Sequence, residues 1–130
     1  MRNTLKSTCA ALLAATAFTW SAGMSSAQVT DDVVKVGVLN DMSGPYSDLQ
    51  GQGSAVAAQM AIDDFGGTIL GKPIELVAGD LQNKVDVGAA VARLWYDTEK
   101  VDAIFDVGHS AVALAVQEIA RERLAASHRS

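Results

Sequence analysis

The sequence has 130 residues, of which 15 are acidic and 10 are basic, so its formal net charge is −5. Hydrophobic residues make up 49% and charged residues 19%, which excludes an intrinsically disordered chain, and the acidic balance excludes a general nucleic-acid-binding protein. The single cysteine excludes an intrachain disulfide framework, and the length is typical of one domain.

The N-terminal segment has the three parts of a secretory signal peptide. Arg2 and Lys6 are basic, residues 9–20 form an apolar run of about 12 residues, and small residues follow up to Ala27. The run is too short for a membrane-spanning helix, which needs roughly 20 apolar residues. We therefore predict a signal peptide that is cleaved after Ala27, with cleavage after Gly23 as the weaker alternative, rather than a membrane-anchoring or buried helix.

Removal of residues 1–27 changes the balance of charge. The remaining 103 residues carry eight basic and 15 acidic side chains, for a formal charge of −7, and Cys9 is lost with the signal peptide. An acidic, cysteine-free exported domain is typical of a soluble periplasmic protein, so we expect a periplasmic location.

The rest of the chain alternates short β-branched runs with segments of helical periodicity. Gly66 and Gly67 are expected to end the first helix, and Ser110 is the expected N-cap of the third. In chain order the pattern predicts strands over residues 34–39, 73–78 and 101–105, and helices over residues 52–65, 86–100 and 111–122.

Apolar stripes predict which face of each helix is buried. The stripe of the first helix contains Ala55, Ala58, Ile62 and Phe65, and that of the second contains Val87, Ala90, Val91, Leu94, Trp95 and Thr98. Trp95 is therefore expected in the core.

This β-α-β-α-β-α order with short connections predicts a three-layer α/β fold, in which a parallel sheet has right-handed crossovers and helices on both faces. The expected strand order is 2-1-3. Ligands of such sheets bind beyond the carboxyl ends of the strands, where the order reverses. Here that crevice lies between the first and third strands. Its predicted walls are residues 41–53 and 106–110, with residues 80–84 close by.

Three aspartates, Asp41, Asp80 and Asp106, lie near the ends of these strands. One interpretation is an acidic site in a small α/β enzyme or phospho-receiver-like domain that uses Asp41 and Asp106. The simpler interpretation is that these carboxylates cap loops, because no positioned lysine or nucleophile accompanies them. His109 and His128 have no histidine or cysteine partner at ligand spacing, so we expect no metal site and no cofactor.

Several stretches of the chain resemble one protein family in their order and spacing. Residues 34–53 read VKVGVLNDMSGPYSDLQGQG, and further matching stretches are residues 61–67, 70–75 and 106–120. Together they resemble the periplasmic solute-binding proteins of ABC importers, in particular the branched-chain amino-acid (Leu/Ile/Val) binding family of type I periplasmic binding proteins. The resemblance implies a non-catalytic receptor whose partners are a small-molecule solute and the membrane subunits of an importer, with no role in nucleic-acid binding.

The resemblance also implies a fold and a set of ligand contacts. Family members have two α/β lobes joined by a hinge, and the lobes close on an amino acid, an amide or an aromatic acid. The matching positions here are Ser43, Gly44 and Tyr46 in the loop after the first strand, and Gly108, His109 and Ser110 in the turn after the third. A helix N-terminus at Ser110 suits a ligand carboxylate, and Tyr46 offers an apolar face with a hydroxyl. His109 departs from the small or amide residue that the family pattern leads us to expect.

The resemblance covers only the first part of such a protein. We expect residues 28–122 to form a partial N-terminal lobe, and residues 123–130 to be a tail without a match. A truncated or frame-shifted product would account for this, and a small paralogue is the alternative. Because one lobe cannot close on a ligand, we expect weak binding or none, and we expect the open sheet edge to allow self-association.

Overall fold

The computed structural model describes residues 31–127 and residue 129, so the predicted signal peptide lies outside the described residues. Within that part the chain alternates strands and helices as the periodicity predicts. The elements are β1 (Val34–Asn40), α1 (Gly51–Phe65), β2 (Thr68–Ile69), β3 (Lys72–Asp80), α2 (Val85–Leu94) with a following π-helical turn (Trp95–Glu99), β4 (Ala103–Phe105) and α3 (Ser110–Ser127). The helix α3 ends at Ser127, five residues beyond the predicted end at residue 122.

The strands form one sheet in the order β2-β3-β1-β4. β1 is parallel to β3, with Val34 opposite Ile74, and it is parallel to β4, with Val36 opposite Ala103. Since β1, β3 and β4 correspond to the three predicted strands, the predicted order 2-1-3 is confirmed. The carboxyl ends of all three strands meet at the same edge, as parallel strands in adjacent register must.

The sheet also contains one short antiparallel strand, which the sequence pattern does not predict. The two residues of β2 pair antiparallel with the start of β3, with Thr68 opposite Pro73. Leu70 and Gly71 connect them with φ values of 53° and 75°, the positive pair that a tight two-residue hairpin turn requires. A strand of two residues has no periodicity to detect, which explains why the sequence pattern indicates only a turn here.

The helices divide unequally between the two faces. α1 contacts β1 and β3 on one face, whereas α2 and α3 pack against each other. The buried cluster lies on the side of α2 and α3. Its members are Leu39, Leu81, Ala92, Trp95, Val101, Val112, Val116 and Ile119.

Trp95 is the largest side chain of this core and is 4% exposed, which confirms its predicted burial. Its ring lies directly on the sheet, where a Cβ atom on Gly37 would come within 2.4 Å of a ring carbon and one on Gly79 within 2.7 Å. Only a residue without a side chain allows the indole to approach the strands this closely.

The predicted stripe on α2 is partly wrong. Leu94 is 49% exposed and Ala90 is also exposed, whereas Gly88 and Ala92 are the buried positions. The physical reason is the close approach of α3, because a Cβ on Gly88 would lie 2.4 Å from Val112. Small residues, rather than the largest apolar ones, mark the packed side of this helix.

The α1 face is far more open. Phe65 is 66% exposed, so its predicted burial is wrong, and Val56 and Met60 are exposed as well. A groove of about 430 Å³ lies between α1 and the sheet, lined mainly by apolar side chains that include Val38 and Phe105. None of the helices within residues 31–127 is long and apolar enough to cross a membrane.

Candidate ligand-binding site

The loop after β1 is organised around a buried carboxylate. Asp41 is 1% exposed, and its Oδ1 accepts a hydrogen bond from the N–H of Gly44 at 2.8 Å while its Oδ2 accepts one from the N–H of Tyr46 at 3.0 Å. A Cβ on Gly44 would lie 2.4 Å from Oδ1. Asp41 therefore folds the loop back on itself, and its oxygens are occupied by backbone donors.

A second carboxylate joins this loop to the one after β3. Asp80 Oδ2 accepts a hydrogen bond from the hydroxyl of Ser43 at 2.6 Å, and Oδ1 accepts bonds from the N–H groups of Met42 at 3.0 Å and Gln82 at 2.8 Å. Burial raises the pKa of the Asp80 carboxyl, but these hydrogen bonds together outweigh it and hold the pKa below its ordinary value. The charged form of Asp80 is thus the one that ties the two loops together.

Asn40 makes the third connection, from the end of β1 to the turn after β4. This residue is fully buried; its Nδ2 donates to Asp106 Oδ2 at 2.8 Å, and its Oδ1 accepts from the N–H of Gly108 at 3.1 Å. Asp41 and Asp106 are therefore both engaged by neutral donors. Among the described residues no group of three His, Cys, Asp or Glu side chains could hold a metal ion. These contacts favour the interpretation that the aspartates shape loops.

The three connected loops line an open cavity of about 540 Å³ at the carboxyl ends of β1, β3 and β4. It is lined by Tyr46, Gln50, Asn83, Gly108, His109, Ser110 and Ala111. Four of the six residues singled out from the sequence are in this set, namely Tyr46, Gly108, His109 and Ser110. Ser43 and Gly44 are not, because the Ser43 hydroxyl is bonded to Asp80 and the Gly44 N–H to Asp41.

The N-terminus of α3 forms one wall of the cavity, and its cap differs from the prediction. His109, not Ser110, is the N-cap: its carbonyl accepts the N–H of Ala113 at 2.9 Å, and its Nδ1 accepts the N–H of Val112 at 3.4 Å. Ser110 is instead the first residue of the helix. The first N–H groups of a helix lack intrahelical partners, so the N–H groups of Ser110 and Ala111 remain available to an anion.

Gln50 was missed by the sequence reasoning. Its Nε2 donates to the carbonyl of Gly108 at 3.2 Å, and a Cβ on Gly108 would lie 1.9 Å from Gln50 Oε1. The amide therefore rests on the backbone of the glycine and holds the first loop against the third. The two residues are 58 positions apart, so no local pattern could reveal the contact.

Asn83 and Ala111 also line the cavity and are not among the six predicted contacts, although residue 83 lies in the loop that was expected close by. Ala111 adds the second available N–H of α3, and Asn83 comes from the loop between β3 and α2. Asn83 has a φ of 52°, and its Oδ1 is buried without a hydrogen-bond partner in the part of the chain that the structure describes. The six contacts predicted from the family resemblance lie only in the loops after the first and third predicted strands. Asn83 lies in a different loop, so that resemblance gives no reason to select it.

The known proteins that this chain resembles are periplasmic binding proteins. A family model described as periplasmic binding protein matches residues 33–125. A solved periplasmic binding protein from Burkholderia mallei is 47% identical with a TM-score of 0.67, and the match covers 71% of this chain and 24% of that one. Among curated proteins, none matches the chain.

Two further solved structures carry more specific descriptions. One is the periplasmic ligand-binding protein of a branched-chain amino acid ABC transporter from Burkholderia xenovorans LB400, 49% identical with a TM-score of 0.66 over 69% of this chain and 24% of that one. The other is the solute-binding protein of an ABC transporter from Rhodopseudomonas palustris BisB5 in complex with 3,4-dihydroxybenzoic acid, 28% identical with a TM-score of 0.61 over 69% and 24%. The chain thus spans about a quarter of the length of these solved relatives.

Proposed function

We propose, since the chain belongs to the periplasmic binding protein family, that it provides one wall of the solute-binding site of an ABC importer. Members of this family are solute-binding proteins of transporters and not enzymes. The hypothesis of an acidic enzyme or phospho-receiver site at Asp41 and Asp106 therefore has no support, from the family or from the contacts of the two carboxylates.

The proposed solute is a small carboxylate, either a branched-chain amino acid or an aromatic acid. The observation that carries this proposal is the N-terminus of α3 in the cavity, where the N–H groups of Ser110 and Ala111 and the Ser110 hydroxyl are available to a carboxylate. Tyr46, which is 46% exposed, lines the same cavity, and a tyrosine side chain offers an apolar ring together with a hydroxyl. The relatives described above with those two ligand classes agree with this chemistry.

The same family membership supports a role with an ABC importer and a periplasmic location. We propose export to the periplasm with cleavage after Ala27, and delivery of the solute to the membrane subunits of an ABC importer by a protein that includes this lobe. Mass spectrometry of the chain recovered from a periplasmic extract should place the N-terminus at Gln28, with a free amine or as pyroglutamate. A sequence that retains residues 1–27 would contradict the proposed export.

Affinity is expected to be low for the chain by itself. A site with one wall leaves most of a ligand in water, so we expect dissociation constants of about 1 mM or weaker rather than micromolar. The exposed apolar groove beside α1 and the edge strand β4, which is paired on one side only, also favour self-association.

A titration followed by ¹⁵N NMR tests the proposed site. Benzoate at millimolar concentration should shift the amide signals of Gly108, Ser110 and Ala111 more than those of the α1 helix. Ser110→Pro should reduce the shifts of Gly108 and Ala111, because proline is well tolerated at the first position of a helix but removes one of the two N–H donors and the hydroxyl. Ser54→Ala, in α1, is the control and should leave the response unchanged. Shifts confined to other regions, or none with any carboxylate, would refute the proposal.

A further inference from the structure

Gly108, in the turn between β4 and α3, is held by both of its backbone polar groups. Its N–H donates to Asn40 Oδ1 at 3.1 Å, and its carbonyl accepts a hydrogen bond from Gln50 Nε2 at 3.2 Å. Both partners are neutral amides that flank the loop after β1, because Asn40 ends that strand and Gln50 directly precedes α1. Since each peptide unit is planar, two such contacts on one residue leave the backbone little freedom to rotate there.

The side chain of Gln50 serves this contact and not its own helix. Gln50 is the N-cap residue of α1, but its side chain makes no hydrogen bond that caps the helix. A Cβ on Gly108 would lie 1.9 Å from Gln50 Oε1, 2.1 Å from Cδ and 2.4 Å from Nε2, so the whole amide lies against that glycine. Gly108 does not have a positive φ, unlike Gly66. The glycine is therefore required for the space that the amide fills and not for its backbone conformation.

The donors of the proposed carboxylate site follow Gly108 directly in the chain. The carbonyl of His109 accepts the N–H of Ala113 at 2.9 Å, so it points along α3. In a planar trans peptide the carbonyl and the following N–H point in opposite directions, so the N–H of Ser110 points out of the start of the helix. The orientation of this first turn depends on the peptide that joins Gly108 to His109, and Gln50 holds the carbonyl of that peptide.

We propose that Gln50 is a positioning residue for the solute carboxylate. Its amide, together with that of Asn40, fixes Gly108 and so holds the N–H groups of Ser110 and Ala111 in the orientation that binds the solute. Donors that are fixed before the solute arrives raise the affinity, because the entropy cost of ordering them is not incurred on binding. The assignment rests on the proposed function, and it goes beyond it by naming the residue of the first loop that orients the donors of the third.

Two substitutions remove the contact by different routes. Gln50→Ala removes the amide, whereas Gly108→Ala keeps the glutamine but puts a Cβ where its amide lies. The amide is the end of a flexible side chain, so it can move away without a shift of the backbone. In ¹⁵N NMR titrations with benzoate and with L-leucine, we expect each variant to bind the tighter of the two probes about fivefold more weakly than the unaltered chain does. The double variant should bind no more weakly than either single variant, because both changes abolish the same contact.

Gln52→Ala is the matched control, because Gln52 is an exposed glutamine of α1 that does not line the cavity. Its affinity should equal that of the unaltered chain. The carbonyl ¹³C signal of Gly108, which responds to hydrogen bonding at that oxygen, should move in Gln50→Ala and not in Gln52→Ala. Thermal unfolding of the same variants completes the comparison, since a residue that acts on stability alone would lower the unfolding temperature without weakening the binding.

The outcomes separate the positioning role from the proposed function. Unchanged affinity in Gln50→Ala, or losses that add up in the double variant, overturns the role of Gln50 and leaves the carboxylate site standing. Absence of binding to both probes by the unaltered chain overturns the proposed function and the assignment together.

Discussion

The two faces of the sheet differ in how completely they are covered, although the same strands form both. On the α2 and α3 side, Trp95 lies on the sheet and is 4% exposed, whereas on the α1 side Phe65 is 66% exposed and Phe105 is 56% exposed. Alternate residues of β1 supply the two faces, so the strand sequence alone does not cause the difference. It arises because two helices pack over one face of the described chain and one helix over the other.

The strongest test of this difference compares one aromatic truncation on each face. Trp95→Ala should destabilise the chain by about 3–5 kcal/mol, because it leaves a cavity in the core, and at this size the protein would be largely unfolded. Phe65→Ala should change the free energy of unfolding by less than about 1 kcal/mol, because its side chain is mostly in water. Urea unfolding followed by circular dichroism measures both.

Similar losses in the two variants would contradict the comparison. They would mean that the α1 face is covered in solution by something that protects Phe65, such as a second molecule. Repeating the unfolding at several protein concentrations distinguishes that case, since the stability of an associating species depends on concentration.

Glycine substitutions test the same difference in packing between the two faces, with smaller expected changes in stability. Gly79→Ala places a Cβ 2.7 Å from the Trp95 ring and should cost about 1–3 kcal/mol, because the indole cannot move without disturbing the core. Gly53→Ala, in α1, meets no atom within 4 Å and should stabilise the chain by about 0.4–1 kcal/mol. Thermal unfolding of both variants gives the signs, and a loss of stability in Gly53→Ala would show that the α1 face is packed more tightly than the structure indicates.

The sequence predictions are correct where local patterns decide the structure. They are wrong or incomplete where contacts between distant residues decide it. The strand order was predictable because short connections between β-branched runs leave few topologies. The buried side of α2 was not, since Gly88 and Ala92 have small side chains that become informative only when Val112 lies opposite. In the site, Tyr46 and Ser110 were expected from the resemblance to the family, which places ligand contacts in the loops after the first and third predicted strands. Gln50 and Asn83 were missed, because the contact of Gln50 with Gly108 and the buried oxygen of Asn83 arise only from the folded chain.

Self-association should depend on the α1 face and the adjoining edge strand. Phe105→Lys places a charge on β4 and in the groove, so it should abolish a concentration-dependent dimer. Leu114→Lys, on α3, changes a side chain that is 65% exposed and is the matched control. Sedimentation velocity at several concentrations measures the shift. A chain that remains monomeric throughout, or a dimer lost equally in both variants, would contradict the role of the α1 face.

The smallest expected effect lies outside both faces, in the loops that Asp80 connects. The pKa of this carboxyl is lower in the folded chain than its ordinary value of 3.8, so its contribution to stability is present in full above that value and is lost as the pH falls through the folded pKa. Asp80→Asn should therefore be less stable than the unaltered chain at pH 7, and the gap should narrow below about pH 4. Asp48→Asn alters an exposed carboxylate in the loop after β1 and is the control. Thermal unfolding between pH 7 and pH 2 measures the gap. A gap that is constant over this range would mean that the hydrogen bonds of Asp80, rather than its charge, hold the two loops together.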